Sequence, residues 1–123
     1  MEQIEEAIRL SEGKAVVYSG DDGITVPVMA MGGMGVISVA SNAAPRFTAE
    51  MTSAFLAGDL KKAAKMQLDM LPFVRALFSE VNPIPVKKAM QLRGLCNGLL
   101  RLPLTEMTAE NAAKLEKLLP SFI

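Results

Sequence analysis

Between Ala15 and Asn42 the chain reads AVVYSGDDGITVPVMAMGGMGVISVASN. Two apolar runs without polar alternation, Ala15–Tyr18 and Gly35–Val39, each end in small polar residues. Unbroken apolar runs of that length predict strands covered on both faces. The compact apolar segment between them, Ile24–Met31, carries Pro27 in its first turn and stops at Gly32-Gly33, which predicts a short helix closed by a tight turn. Strand, helix, strand in that order predicts a parallel crossover and an α/β class. Upstream, Ile4, Ala7, Ile8 and Leu10 fall near helical spacing, with Glu2, Glu5, Glu6 and Arg9 on the other face. That is the pattern of an outer amphipathic helix, capped near Gly13. The chain opens inside this helical period, which sets up the expectation of a longer parent.

Downstream the period is helical throughout. Ala44-Pro45 predicts a helix start and Gly58 its end, near Ala57. Asp59 is placed to cap the next helix, whose buried stripe is predicted at Leu60, Ala64, Leu68, Leu71 and Phe78, with a kink at Pro72. Lys61, Lys62 and Lys65 then form a solvated face. Asn82-Pro83-Ile84-Pro85 predicts an extended break, Val86–Arg93 another helix, and Thr108 the cap of a last helix with Leu115, Leu118 and Leu119 on its apolar side.

Composition narrows the function. The chain has 123 residues, 50% of them hydrophobic and 21% charged, enough for a domain with its own core. Thirteen basic residues balance thirteen acidic ones, which removes a broad electrostatic case for nucleic acid or an anionic membrane. There is no histidine, so no imidazole triad or general base exists in this chain. The single cysteine, Cys96, makes no internal disulfide and fits a reducing compartment, the cytoplasm. One cysteine and carboxylates are a poor zinc set, and no metal or other cofactor is expected. No apolar run reaches the length of a bilayer span.

Candidate chemistry collects at the ends of the two apolar runs, Ser19-Gly20-Asp21-Asp22 and Ser38-Val39-Ala40-Ser41-Asn42. In α/β folds ligands sit beyond the carboxyl ends of strands. Gly20 leaves room there for a ligand or another backbone. Asp21 and Asp22 are read first as caps of the following helix, ahead of catalysis, since adjacent acids point apart and make a poor acid–base pair. Met31–Gly35 looks like a glycine-rich phosphate loop, but its glycines follow a helix and precede a strand, the reverse of that motif. Ser38 has no residue near it that would activate a nucleophile, and Cys96 lacks charged neighbours that would lower its pKa. Both read as structural.

Five motifs occur in register: SGDD at Ser19–Asp22, GGxGVISV at Gly32–Val39, Ala44-Pro45-Arg46, NPIPVK at Asn82–Lys87 and RLPL at Arg101–Leu104. Together they resemble the carboxyl-terminal part of the dihydrodipicolinate synthase family, over essentially the whole chain. The resemblance implies a partial (β/α)₈ barrel, with Ala15–Tyr18 and Gly35–Val39 as its last two strands, followed by a helical domain. It implies a division at residues 1–57 and 58–123. It implies a Schiff-base lyase that condenses pyruvate with aspartate semialdehyde in lysine biosynthesis and assembles as a homo-oligomer, a tetramer. The family's Schiff-base lysine, on a sixth strand, and its proton-relaying tyrosines match nothing here. Lys14 precedes a strand at its amino end, and Tyr18 does not match a catalytic tyrosine. Gly20 and Ile37 do carry over, as residues that line the pyruvate pocket, Ile37 through its main chain. The chain is therefore expected to be inactive alone. Two other readings stand beside this one: a non-enzymatic helical module derived from the enzyme, and another pyruvate-dependent aldolase such as N-acetylneuraminate lyase.

Overall fold

The structure, a computed structural model, describes all residues from Met1 to Ile123. It is built from seven α-helices: α1 (Glu2–Ser11), α2 (Thr25–Ala30), α3 (Ala40–Ala43), α4 (Pro45–Leu56), α5 (Leu60–Leu77), α6 (Ile84–Leu92) and α7 (Ala109–Leu118). Two 3-10 turns, Asp22–Ile24 and Leu119–Phe122, lead into α2 and close the chain. Local chemistry accounts for most of the boundaries. Asp59 caps α5 by accepting the Lys62 N–H at 3.1 Å. Pro45 opens α4 at a position where a missing amide costs nothing. The turn after α2 needs glycine at Gly33, because a Cβ there would lie 2.7 Å from a Val28 methyl and 2.9 Å from the Val28 carbonyl oxygen. α1 has acids in its first turn and a Glu6–Arg9 ion pair at 2.6 Å, and buries none of its residues fully.

The expected partial barrel with two parallel strands is not present: the structure contains no strand and no sheet. Ala15–Tyr18 and Gly35–Val39 run as extended chain and meet in a single parallel bridge between Ser19 and Val36. Three backbone hydrogen bonds make this contact: Met34 N–H to Val17 O at 2.9 Å, Ser19 N–H to Gly35 O at 2.9 Å and Ile37 N–H to Ser19 O at 2.8 Å. Neither segment has a neighbour on its other edge, and two lone strands do not sustain a ladder. Nor are both faces covered, since Val16, Tyr18 and Ile37 are 66%, 52% and 72% exposed.

The core lies among α3 to α7. Ala40, Ala43 and Ala44 bring the chain close to Met51 of α4, Met70, Phe73 and Leu77 of α5, Val86 and Ala89 of α6, and Leu115 of α7. Phe122, in the terminal turn, stacks on Phe73 at 4.9 Å and meets Phe47 edge-on at 5.0 Å, which fastens the end of the chain to α4 and α5. The buried face of α5 corrects the sequence expectation. It consists of Ala63, Gln67, Met70, Phe73, Val74 and Leu77, while Leu60, Leu68 and Phe78 are exposed. Both helical lines are apolar, and Gln67 makes the buried one look the more polar. Its amide is nevertheless paired at both ends, donating to Asp22 O and accepting from Val26 N–H, each at 2.9 Å.

α7 is held at its start by a residue distant in sequence. The Thr108 side chain does not cap the helix. Instead Glu80 Oε1 accepts the Thr108 N–H at 3.1 Å, the Thr108 hydroxyl at 2.7 Å and the Asn111 amide at 2.8 Å. These donors, the Thr108 hydroxyl first and then Asn111, hold the Glu80 carboxyl below its usual value of 4.5. A folded-state pKa depressed in this way adds stability that is full above the usual value and lost as pH falls through the folded one. Glu80→Gln should therefore lower the melting temperature near neutral pH, and the gap to the native chain should close as the solution is acidified below about pH 4. A gap that is constant from pH 7 to pH 3 in thermal melts would show that Glu80 is not the tie.

Candidate functional site

The segments that carry candidate chemistry, Ser19–Asp22 and Ile37–Asn42, are brought together by one buried carboxylate. Asp22 is 2% exposed. Its Oδ1 accepts the Ser38 hydroxyl at 2.5 Å, and its Oδ2 accepts the Val39 and Ala40 N–H groups at 2.9 and 3.0 Å. Those amides are the free donors at the start of α3, so Asp22 caps a helix that begins eighteen residues further on. Ser38 Oγ also accepts the Ser41 N–H at 2.7 Å, a cap at its own local spacing. Asp21 does the local job expected of it, accepting the Gly23 N–H at 2.7 Å. Ser19 is buried and folds its hydroxyl onto the Asp21 carbonyl at 2.7 Å. Sequence reasoning missed the Asp22–Ser38 link and the role of Gln67. The only local signal was the Ser38–Ser41 spacing, which marks a helix start.

Gly20 and Ile37 lie on either side of Ser19. Gly20 follows it directly, and the Ile37 N–H bonds to its carbonyl. A Cβ on Gly20 would meet nothing within 4 Å, so the space in front of it is open. The Ile37 side chain faces outward, and its carbonyl accepts no hydrogen bond within the chain. Beside the bridge runs a groove of about 410 Å³ walled by Tyr18, Met34, Ser41, Pro45 and Thr48. A larger cavity of about 570 Å³, between α6, α7 and the loop joining them, shares no residue with these segments.

No lysine is buried: Lys87 and Lys88 are half-buried and the other six exposed. Lys87 donates to the Leu99 carbonyl, Lys88 to Gln91, and Lys14, Lys62, Lys65 and Lys114 sit in ion pairs. The Glu50 carboxylate, by hydrogen bond first and charge second, pushes the Lys62 ammonium above its usual range, the reverse of what a nucleophilic amine requires. No three His, Cys, Asp or Glu side chains come together as metal ligands. No helix is long and apolar enough to cross a membrane.

With this geometry in place, comparison with known proteins gives a consistent answer. The profile of the dihydrodipicolinate synthetase family matches residues 1–121. The chain belongs to that family. It is 54% identical over 110 residues to the 4-hydroxy-tetrahydrodipicolinate synthase of Lachnoclostridium phytofermentans, covering 89% of this chain and 37% of that protein. The crystal structure of dihydrodipicolinate synthase from Aquifex aeolicus is similar at a TM-score of 0.92 and 42% identity, covering 98% of this chain and 41% of that one. The chloride-inhibited dihydrodipicolinate synthase of Acinetobacter baumannii, complexed with pyruvate, superposes at a TM-score of 0.90 with 34% identity, covering 98% and 42%. The chain thus spans about two-fifths of the length of these relatives.

The clamp separates the two aspartates by their tolerance to change. Asp22→Ala leaves three donors without a partner and should cost at least about 2 kcal/mol. Asp22→Asn turns an NH₂ group toward donors and should also destabilise, whereas Asp21→Asn keeps its accepting oxygen and should change stability by less than about 0.5 kcal/mol. Denaturant titration of the three variants checks this. Equal, small losses at both positions would refute the clamp.

Proposed function

We propose that this chain contributes the carboxyl-terminal part of a Schiff-base-forming lyase that condenses pyruvate with aspartate semialdehyde in lysine biosynthesis. The family match over residues 1–121, together with 54% identity to a 4-hydroxy-tetrahydrodipicolinate synthase, carries this reading. The complete enzyme, on this reading, is a homo-oligomer, and the chain alone is inactive. Support for inactivity comes from the lysines. A Schiff base needs an amine held unprotonated in a desolvated pocket, and no lysine here is buried. The part of the work assigned to this chain is pyruvate contact. Gly20 leaves space for the substrate, and Ile37 offers a carbonyl that has no partner inside the chain.

Borohydride reduction in the presence of pyruvate, read by mass spectrometry, tests the division of labour. No lysine of the isolated chain should be modified selectively. With the complementary amino-terminal part of the Lachnoclostridium relative added, an adduct should form on the added segment alone. A stoichiometric adduct on one lysine of this chain would make that lysine a nucleophile and overturn the reading in favour of a self-contained enzyme. No adduct on either piece, with the two shown to associate, would favour a non-enzymatic module.

The pocket assignment has its own test in the same reconstituted enzyme. Gly20→Val should raise the KM for pyruvate at least about tenfold while the helical circular-dichroism signal and melting temperature stay unchanged, because the added side chain enters open space. Unaltered pyruvate kinetics would remove Gly20 from the site.

A further inference from the structure

The loop between α6 and α7 carries the dipeptide Asn97-Gly98. Asn97 is exposed, and its Oδ1 accepts the Leu99 N–H at 3.1 Å. That bond folds the side chain forward along the main chain and draws electron density from Cγ. It also encloses the Gly98 nitrogen in the same hydrogen-bonded turn as Cγ. The Gly98 N–H donates to nothing in the chain, so it is open to removal by hydroxide. The Gln91 amide donates to Asn97 O at 3.4 Å, which withdraws density from the peptide that holds this N–H. Asn97 Nδ2 donates to nothing either, so no bond holds it in place. The turn requires glycine at the second position. Its φ is +71°, and a Cβ there would lie 2.7 Å from the Gln91 side chain. A nitrogen without a neighbouring side chain is therefore built into the turn. We propose that Asn97-Gly98 is a self-modifying site, at which the Gly98 nitrogen displaces ammonia from the Asn97 side chain.

Hydroxide takes the Gly98 amide proton, and the nitrogen attacks Cγ. The N–Cγ bond forms, the Cγ–Nδ2 bond breaks, and ammonia leaves with a proton from water. A cyclic imide remains, which water opens. Addition of water at Cγ gives aspartate. Addition at the Asn97 main-chain carbonyl carbon gives an isoaspartyl link that runs through the former side chain. In sum water replaces ammonia, and nothing is oxidised or reduced. The other asparagines lack this arrangement. Asn82 precedes a proline, which has no N–H to give up. The Asn42 amide donates to the Ser38 and Val39 carbonyls, and the Asn111 amide donates to Glu80. Both lie within helices, and the N–H that follows Asn111 is held by the Thr108 carbonyl at 2.9 Å. At Asn97 either product places a new negative charge beside Lys88, on the wall of the cavity of about 570 Å³ between α6 and α7. The isoaspartyl link also takes Asn97 O, the acceptor of the Gln91 amide, out of the main chain. It lengthens the main chain by a methylene before Leu99, whose carbonyl is held by Lys87.

Incubation of the intact 123-residue chain in mildly alkaline buffer, followed by peptide mapping, tests the site. A mass gain of about 1 Da should appear on the peptide that contains Asn97 while circular dichroism shows the chain still folded. It should accumulate at least about tenfold faster than at Asn42 or Asn111, and faster as pH rises. A carboxyl methyltransferase specific for isoaspartyl groups should label that peptide. It should not label the same peptide of Asn97→Gln, which keeps an amide but would have to close a larger ring. Any of four results overturns the proposal: an Asn97 that stays intact in the folded chain, Asn42 or Asn111 reacting as fast, a mass gain without isoaspartyl label, or equal labelling of the Asn97→Gln chain.

Discussion

The buried carboxylate of Asp22 is the constraint on which the first third of the chain depends. Between Ser19 and Ala40 there is no sheet to set register, only three backbone hydrogen bonds around one bridge. The Asp22 side chain supplies the missing order by holding Ser38, Val39 and Ala40. Its own carbonyl is held by Thr25 Oγ1 and by Gln67 Nε2, so one residue links the Ser19–Asp22 loop, α3 and α5. Burying a carboxylate is costly unless every acceptor site is met. Here three donors meet the two oxygens, and no buried side-chain nitrogen or oxygen anywhere in the structure lacks a partner.

What the sequence made legible was local. Asp21, Asp59, Pro45 and the Gly32-Gly33 turn act within five residues of themselves, through capping and sterics that any helix obeys. What it hid was tertiary. The Glu80 carboxylate caps α7 from 28 residues away, in place of the Thr108 side chain at the expected cap position. α3 is four residues long, too short for any periodicity to show. The apolar runs at Ala15–Tyr18 and Gly35–Val39 were read as covered strands because an unbroken run looks alike whether something covers it or not. On α5 the buried line contains Gln67, a polar residue that becomes a good core residue once Asp22 O and Val26 N–H are beside it.

The candidate site was legible only as motif. Neither a glycine nor an isoleucine backbone carries a chemical signature, so composition and spacing alone would not have selected Gly20 or Ile37. Their geometry nonetheless agrees with a passive role. A carbonyl without an internal partner is free to accept a hydrogen bond and a glycine facing open space leaves room, and neither group carries a proton to transfer. The residues around them reinforce this. Asp22, Ser19 and Ser38 spend their side-chain oxygens on backbone groups and each other, and Asp21 places one oxygen on the Gly23 amide, so no second acid or base stands free beside it.

The two exposed apolar surfaces of the chain differ in kind, and the difference bears on what each accepts. Around Val16, Tyr18 and Ile37 the exposed groups include unpaired backbone of an extended segment, so a partner there must satisfy hydrogen bonds as well as cover side chains. The exposed apolar line of α5, at Leu60 and Leu68, has no such demand, because its amides and carbonyls are consumed inside the helix. Only side chains remain to be covered there, and covering them leaves no backbone group to be paired. The packing of α5 against α4, α6 and α7 through Met70, Phe73 and Leu77 also fixes this line in place. A preformed, side-chain-only surface loses little entropy when it is covered, whereas the extended segments must also be ordered and hydrogen-bonded by whatever lies against them.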